Sequence, residues 1–168
     1  MRIVIIGILY VTYMLLRCPQ WLASQDVPYI LRALSYSFFH TNLLHLAVNC
    51  LSVWILFPES NDHRHMRELC LALLIAFAVY PLGFRPCVGF SNALFAICGM
   101  RSKPLSCTHW WKQPTVILFL VIMVAMCFMH QFAGTNHLAA FILGFVFMNI
   151  EKALQPLIRD ASRYTRDR

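Results

Sequence analysis

Six apolar runs, Ile3–Leu16, Asn42–Phe57, Leu69–Phe84, Cys87–Met100, Thr115–Met129 and Phe132–Ile150, take up most of this chain. Of its 168 residues 60% are hydrophobic and 12% charged, whereas a soluble domain carries about 25% charged residues. That is too little charge for a water-facing shell. The aromatic and aliphatic content excludes disorder. The seven Cys are odd in number and fall mostly inside the runs, which argues against a secreted disulfide scaffold. No CxxC spacing supports a structural zinc site. The expectation is an all-α, multi-pass membrane protein, folded as a single domain over residues 1–168.

Prolines punctuate the runs: Pro19 closes the first, Pro58 the second, Pro86 precedes the fourth and Pro114 opens the fifth. Most runs fall short of the roughly 20 apolar residues that an unaided span requires, so flanking residues contribute or some helices begin inside the membrane. With the N-terminus in the cytoplasm, the inner side receives Arg2, Arg64, Arg67, Arg101, Lys103, Lys112, Lys152, Arg159, Arg163, Arg166 and Arg168. The outer side receives Arg17, Arg32 and Arg85. Eleven against three is a positive-inside pattern with both termini cytoplasmic. It also accounts for the net charge of +7 without a nucleic-acid partner. The basic segment 151–168 then reads as a cytoplasmic tail beside the lipid headgroups.

Two stretches admit alternatives. The first run is short enough for a signal peptide, but Arg17 before Cys18 and the lack of an A-x-A site favour a retained helix. Between runs one and two, Ile30, Leu34 and Phe38 recur every four residues among the aromatics Trp21, Tyr29 and Tyr36. That pattern suits a helix in the headgroup plane, with an ordinary connecting loop as the alternative.

Polar side chains at membrane depth are costly and usually face a partner or a water-filled cavity. His45 and Asn49 are spaced i, i+4 and share a helical face. Ser91 follows Gly89, and His137 is followed by Ala140 and Gly144 in a small-xxx-small pattern. Alone, each has a plain explanation: a Ser bonded to its own backbone, a structural His, an Asn gluing two helices. Together they all fall in the outer halves of their runs. From Gly89 to Arg101 is only about 17 Å of helix, so the fourth helix starts partway into the bilayer, with Ser91 in its first turn. Unpartnered N–H groups there suit a developing oxyanion. No Asp or Glu occurs from Leu69 through Ile150, and no HExxH is present. A paired-Asp protease and a zinc protease are thereby excluded, and acyl transfer would have to run on a Ser–His dyad.

These residues resemble the rhomboid intramembrane serine proteases. The stretch PYILRALSYSFFHTNLLHLAVN, Pro28–Asn49, is similar to the segment leading into that family's second helix, with His40, His45 and Asn49 in H-x4-H-x3-N spacing. GFSN at Gly89–Asn92 resembles the GxSG motif, and NHLAA at Asn136–Ala140 with Gly144 resembles the last-helix histidine motif. The likeness runs in order over about residues 28–150.

The resemblance implies six helices around a water-filled pocket, with Ser91 as nucleophile and His137 as its general base. His45, Asn49 and the Ser91 N–H would hold the oxyanion, with His40, Gly89 and Phe95 in support. It implies a transmembrane-helix substrate, a lipid bilayer and no cofactor or metal. Three positions depart from the family: Asn92 replaces a Gly or other small residue, Phe95 the Tyr beside the histidine, and Ala140 a common Gly. A non-catalytic binder of membrane helices on the same fold is one alternative. A metal-handling membrane protein is another, prompted by seven His and seven Cys that match no ligand spacing, with His63, His65 and His109 expected in inner loops. A short chain without added domains fits a bacterial inner membrane, with an organelle membrane as the other possibility. The sequence leaves the physiological substrate and the oligomeric state undefined.

Overall fold

In the computed structural model, residues 1–16, 28–57, 63–82, 89–102 and 134–166 are described, with positions 114, 117–118, 121–122 and 125. Apolar and small residues recurring every three or four positions build the elements. They form α1 (Arg2–Leu16), α2 (Tyr29–Ser35), a 3-10 turn (Tyr36–Phe38), α3 (Leu43–Leu56), α4 (His63–Val79), a second 3-10 turn (Tyr80–Leu82), α5 (Ser91–Arg101) and α6 (Gly134–Arg166). No strand occurs among the described residues. Of the fifth apolar run only five positions, all helical, fall within them; Arg17, Cys18, Trp21, Arg85, Cys87, Lys103, His109 and Lys112 lie outside.

Each helix buries a narrow stripe. On α3 it is Leu46, Asn49, Val53 and Leu56, and on α4 Glu68, Ala72, Ala76 and Val79. The i, i+3, i+4 spacing is that of a helix with one face on a core. Opposite faces expose large apolar side chains such as Val48, Leu51 and Leu74, a surface that suits lipid better than water. The side chain of Asn42 caps α3 by accepting the His45 N–H at 2.8 Å.

α5 is different, because every residue from Asn92 to Met100 is buried. It packs chiefly on α6 and α4, with α3 and the first 3-10 turn on its remaining sides. Glycine sets the closeness of α5 and α6. A Cβ at Gly144 would strike the Ala96 carbonyl, and one at Gly99 the Phe141 carbonyl. Backbones meet where small residues face each other. Gly144→Ala is therefore expected to force the two helices apart and to cost about 1–3 kcal/mol, read as a lowered unfolding midpoint in detergent.

Several sequence expectations concern the lengths and ends of these elements. Among the described residues one helix, Gly134–Leu157 within α6, is long and apolar enough to cross a membrane by itself. Residues Tyr29–Phe38 and Leu43–Leu56 pass the same test only as a pair bent by 74°, and α1 is a shorter apolar helix. His63 and His65 belong to the first turn of α4 and not to a loop. The segment after Glu151 continues as helix to Arg166, with Pro156 inside it. α2 ends at Ser35, one turn before the period of four would place its end. Tyr36, expected at the interface, is 1% exposed and lies inside the bundle, while Ile30 and Leu34 are exposed.

A buried ionic cluster closes the end of the bundle remote from Ser91. Arg101, the last residue of α5, gives Glu68 two hydrogen bonds, from Nη2 at 2.7 Å and Nε at 2.9 Å. Its Nη1 donates to the Leu56 carbonyl at the end of α3. Arg64 Nε reaches the other Glu68 oxygen at 3.2 Å, and His65 Nδ1 lies 3.1 Å from Arg101 Nη2. Three helices thus meet on one guanidinium. Nearby, Arg67 pairs with Glu151 in a two-point contact of 2.7 and 3.2 Å that joins α4 to α6.

Candidate active site

Ser91 is the first residue of α5 and follows Gly89 and Phe90, which turn the chain into the helix. Gly89 has φ +114°, a conformation that residues with a side chain rarely adopt. Its N–H donates to the Tyr36 carbonyl at 2.9 Å. The first intrahelical bond of α5 runs from the Leu94 N–H to the Phe90 carbonyl at 3.2 Å. The N–H groups of Ser91, Asn92 and Ala93 therefore precede the regular ladder.

Across from Ser91 stands His137, in the first turn of α6. Its Nε2 lies 2.8 Å from the Ser91 Oγ, although the two residues are 46 positions apart. The imidazole is 3% exposed. Phe95, one turn along α5 from Ser91, sets its ring 4.8 Å from that of His137 at 30° between planes. The contact needs only a ring, and Phe95 supplies it without the Tyr hydroxyl. The Nδ1 of His137 is buried and has no hydrogen-bond partner among the described residues. Among the described residues none forms a third member behind the imidazole.

His40, His45 and Asn49 make a second group beside the first. Asn49 Nδ2 and His40 Nε2 are 2.9 Å apart, and the His40 and His45 rings are 5.0 Å apart, edge to face. An amide nitrogen carries two N–H groups, so donation to His40 leaves Asn49 one more to offer. His45 Nδ1 lies 3.4 Å from Thr41 Oγ1. Gly89 joins the two groups. A Cβ there would come within 2.6 Å of His45 Nε2 and 3.3 Å of Asn49 Nδ2, so the bare Cα leaves both nitrogens beside the segment that leads to Ser91. All seven residues singled out in the sequence (Ser91, His137, His45, Asn49, His40, Gly89 and Phe95) thus gather at one end of the bundle.

Tyr36, Asn92 and Asn136 complete this region, in roles that sequence reasoning did not give them. Tyr36 accepts a hydrogen bond from Asn92 Nδ2 at 3.0 Å and donates one to the Ala76 carbonyl at 2.5 Å. Asn92 is therefore no misfit beside Ser91: its side chain is buried and its Nδ2 has a partner in the Tyr36 hydroxyl. Asn136, next to His137, donates to the Val79 carbonyl at 3.2 Å. Glu68 anchors the opposite end of α5. The sequence showed Asn92 and Asn136 as polar side chains inside apolar runs and Glu68 as one flanking a run, but not their partners.

Helices with narrow buried stripes, lipid-suited outer faces and polar side chains gathered around one buried helix define a helical membrane protein. The Rhomboid domain family profile matches residues 28–152. The chain belongs to the rhomboid family and is an integral membrane protein. A comparison with curated proteins finds no match.

Proposed function

We propose that this rhomboid is an intramembrane serine endopeptidase that cuts transmembrane-helix substrates near the outer membrane face. The observation that carries the reading is the 2.8 Å contact between Ser91 Oγ and His137 Nε2. With its proton on Nδ1, the imidazole presents Nε2 as an acceptor for the Ser91 hydroxyl.

In the proposed reaction Ser91 Oγ bonds to the scissile carbonyl carbon as its proton passes to His137 Nε2. The carbonyl oxygen, now negative, is met by the Ser91 N–H, the free N–H of Asn49 and His45 Nε2–H. Collapse of this intermediate breaks the C–N bond, and His137 returns the proton to the leaving amine. Water then attacks the acyl-enzyme, giving its proton to His137, and Ser91 is released with a carboxylate product. His40 orients Asn49, Phe95 supports the imidazole, and Gly89 keeps the approach to the oxyanion side open.

The same proposal takes the whole chain as one domain with six membrane-crossing helices, both termini in the cytoplasm and the site toward the outside. A bacterial inner membrane is its proposed location. The basic stretch after Glu151 then continues α6 into the cytoplasm.

A fluorophosphonate tests the reading directly. In the detergent-purified protein, the probe is expected to modify Ser91, as mapped by mass spectrometry, and to leave His137→Ala unmodified. A folded wild-type protein that is never labelled at Ser91 would overturn the reading in favour of a helix-binding rhomboid without proteolysis.

A further inference from the structure

α4 brings none of the proposed reacting groups to the site, yet both halves of the Ser91–His137 pair are tied to its last turn. On the serine side, Tyr36 makes the connection. Its carbonyl accepts the Gly89 N–H at 2.9 Å, and its hydroxyl accepts from Asn92 Nδ2 at 3.0 Å while donating to the Ala76 carbonyl at 2.5 Å. Gly89 and Asn92 bracket Ser91 in the chain. On the histidine side, Asn136 immediately precedes His137 and donates to the Val79 carbonyl at 3.2 Å.

Ala76 and Val79 are three residues apart, on one face of α4. They lie in its last turn, where carbonyls run out of regular helical donors. Side chains from two other parts of the chain supply donors to that turn. Tyr36, Asn92 and Asn136 are each no more than 1% exposed, so these bonds act where water does not compete and loss of a partner is costly.

We infer that the C-terminal turn of α4 is the reference that sets Ser91 against His137, with Tyr36 and Asn136 as positioning residues. The glycine contact between α5 and α6 leaves this task undone. Ala96 lies five residues past Ser91, and Gly144 seven past His137, so that contact is about 7–10 Å away along the helices. Fixing two helices there still lets their ends swing. A displacement of about 1 Å at reacting atoms costs about a hundredfold in rate, so a tether at the level of the dyad has a large effect. It also explains how an Asn is accommodated beside the nucleophile: Tyr36 supplies its partner.

The inference rests on the proposed nucleophile, and the test separates the two. Full-length wild type, Tyr36→Phe, Asn136→Ala and Tyr36→Phe/Asn92→Ala are inactivated by a fluorophosphonate over a range of concentrations, which resolves the maximal rate kinact from the binding constant KI. Tyr36→Phe and Asn136→Ala are each expected to lower kinact by about ten- to a hundredfold, with KI within about twofold. Tyr36→Phe/Asn92→Ala is expected to recover part of the Tyr36→Phe loss, because it removes the amide that faces a ring without its oxygen. Loss of packing alone would make the double variant worse than the single one. Wild-type rates in both single variants, or a double variant slower than Tyr36→Phe, would overturn the inference while leaving the nucleophile in place. A wild type that is not labelled at all would overturn both.

Discussion

His137→Ala is expected to lose cleavage of a transmembrane-helix reporter by about 10⁶-fold, and Ser91→Ala by the same factor. The double variant is expected to lose no more than either single one. The reason is that neither group works alone: without the imidazole the Ser91 hydroxyl keeps its proton, and without the hydroxyl there is no nucleophile for the imidazole to activate. Because Nδ1 of His137 has no partner among the described residues, the whole activation falls on the Nε2 contact. Initial rates in proteoliposomes, at matched insertion of wild type and variants, make the comparison. Ser91-dependent cleavage that survives His137→Ala would remove the dyad.

The second large effect is expected far from the chemistry. Arg101→Ala leaves Glu68, whose side chain is 2% exposed, without its closest cation. Removing one partner of a buried ion pair costs about 3–5 kcal/mol, since the remaining charge stays in a medium that solvates it poorly. Arg64 is too exposed, at 65%, to replace it. Arg101→Lys is expected to fall between wild type and Arg101→Ala. An ammonium keeps the charge but cannot reach Glu68, Leu56 and His65 at once, as the planar guanidinium does. Unfolding in detergent, followed by circular dichroism, gives the order. An unchanged midpoint for Arg101→Ala would show that the cluster contributes nothing to the fold.

Both predictions follow from α5, an 11-residue helix buried on every side. Its shortness was legible in the chain, as the distance from Gly89 to the charged Arg101. What Arg101 does there was not. The sequence placed it at the inner membrane surface and could not show that it is bonded to two other helices, to which the packing of α3 and α4 brings it. Tyr36 shows the same limit. An aromatic residue with a hydroxyl, near others of its kind, suits a headgroup layer as well as a core. Only the contact with Ala76 and Asn92 separates the two.

Helix ends were misjudged for a related reason. Hydropathy reports what a residue's side chain prefers, whereas a helix extends as long as its backbone bonds continue. The polar stretch His63–Glu68 is helical although it lies ahead of the apolar run, and α6 passes through Pro156 to Arg166. Asn92 could be seen as unusual beside Ser91, but its partner could not be seen at all.

The sequence by itself determined the class of fold, the helical face that His45 and Asn49 share, and which side chains gather at the Ser91 end of the bundle. Spacing along one helix is a local property: i and i+4 share a face whatever surrounds them. The tertiary structure alone decided that Ser91 and His137 meet at 2.8 Å, that Tyr36 and Asn136 tie them to one turn of α4, and that Arg101 closes on Glu68. Those contacts join residues from different helices. They depend on the angle and depth at which the helices cross, and glycine-sized gaps such as the one at Gly144 set that depth only when the whole bundle is assembled.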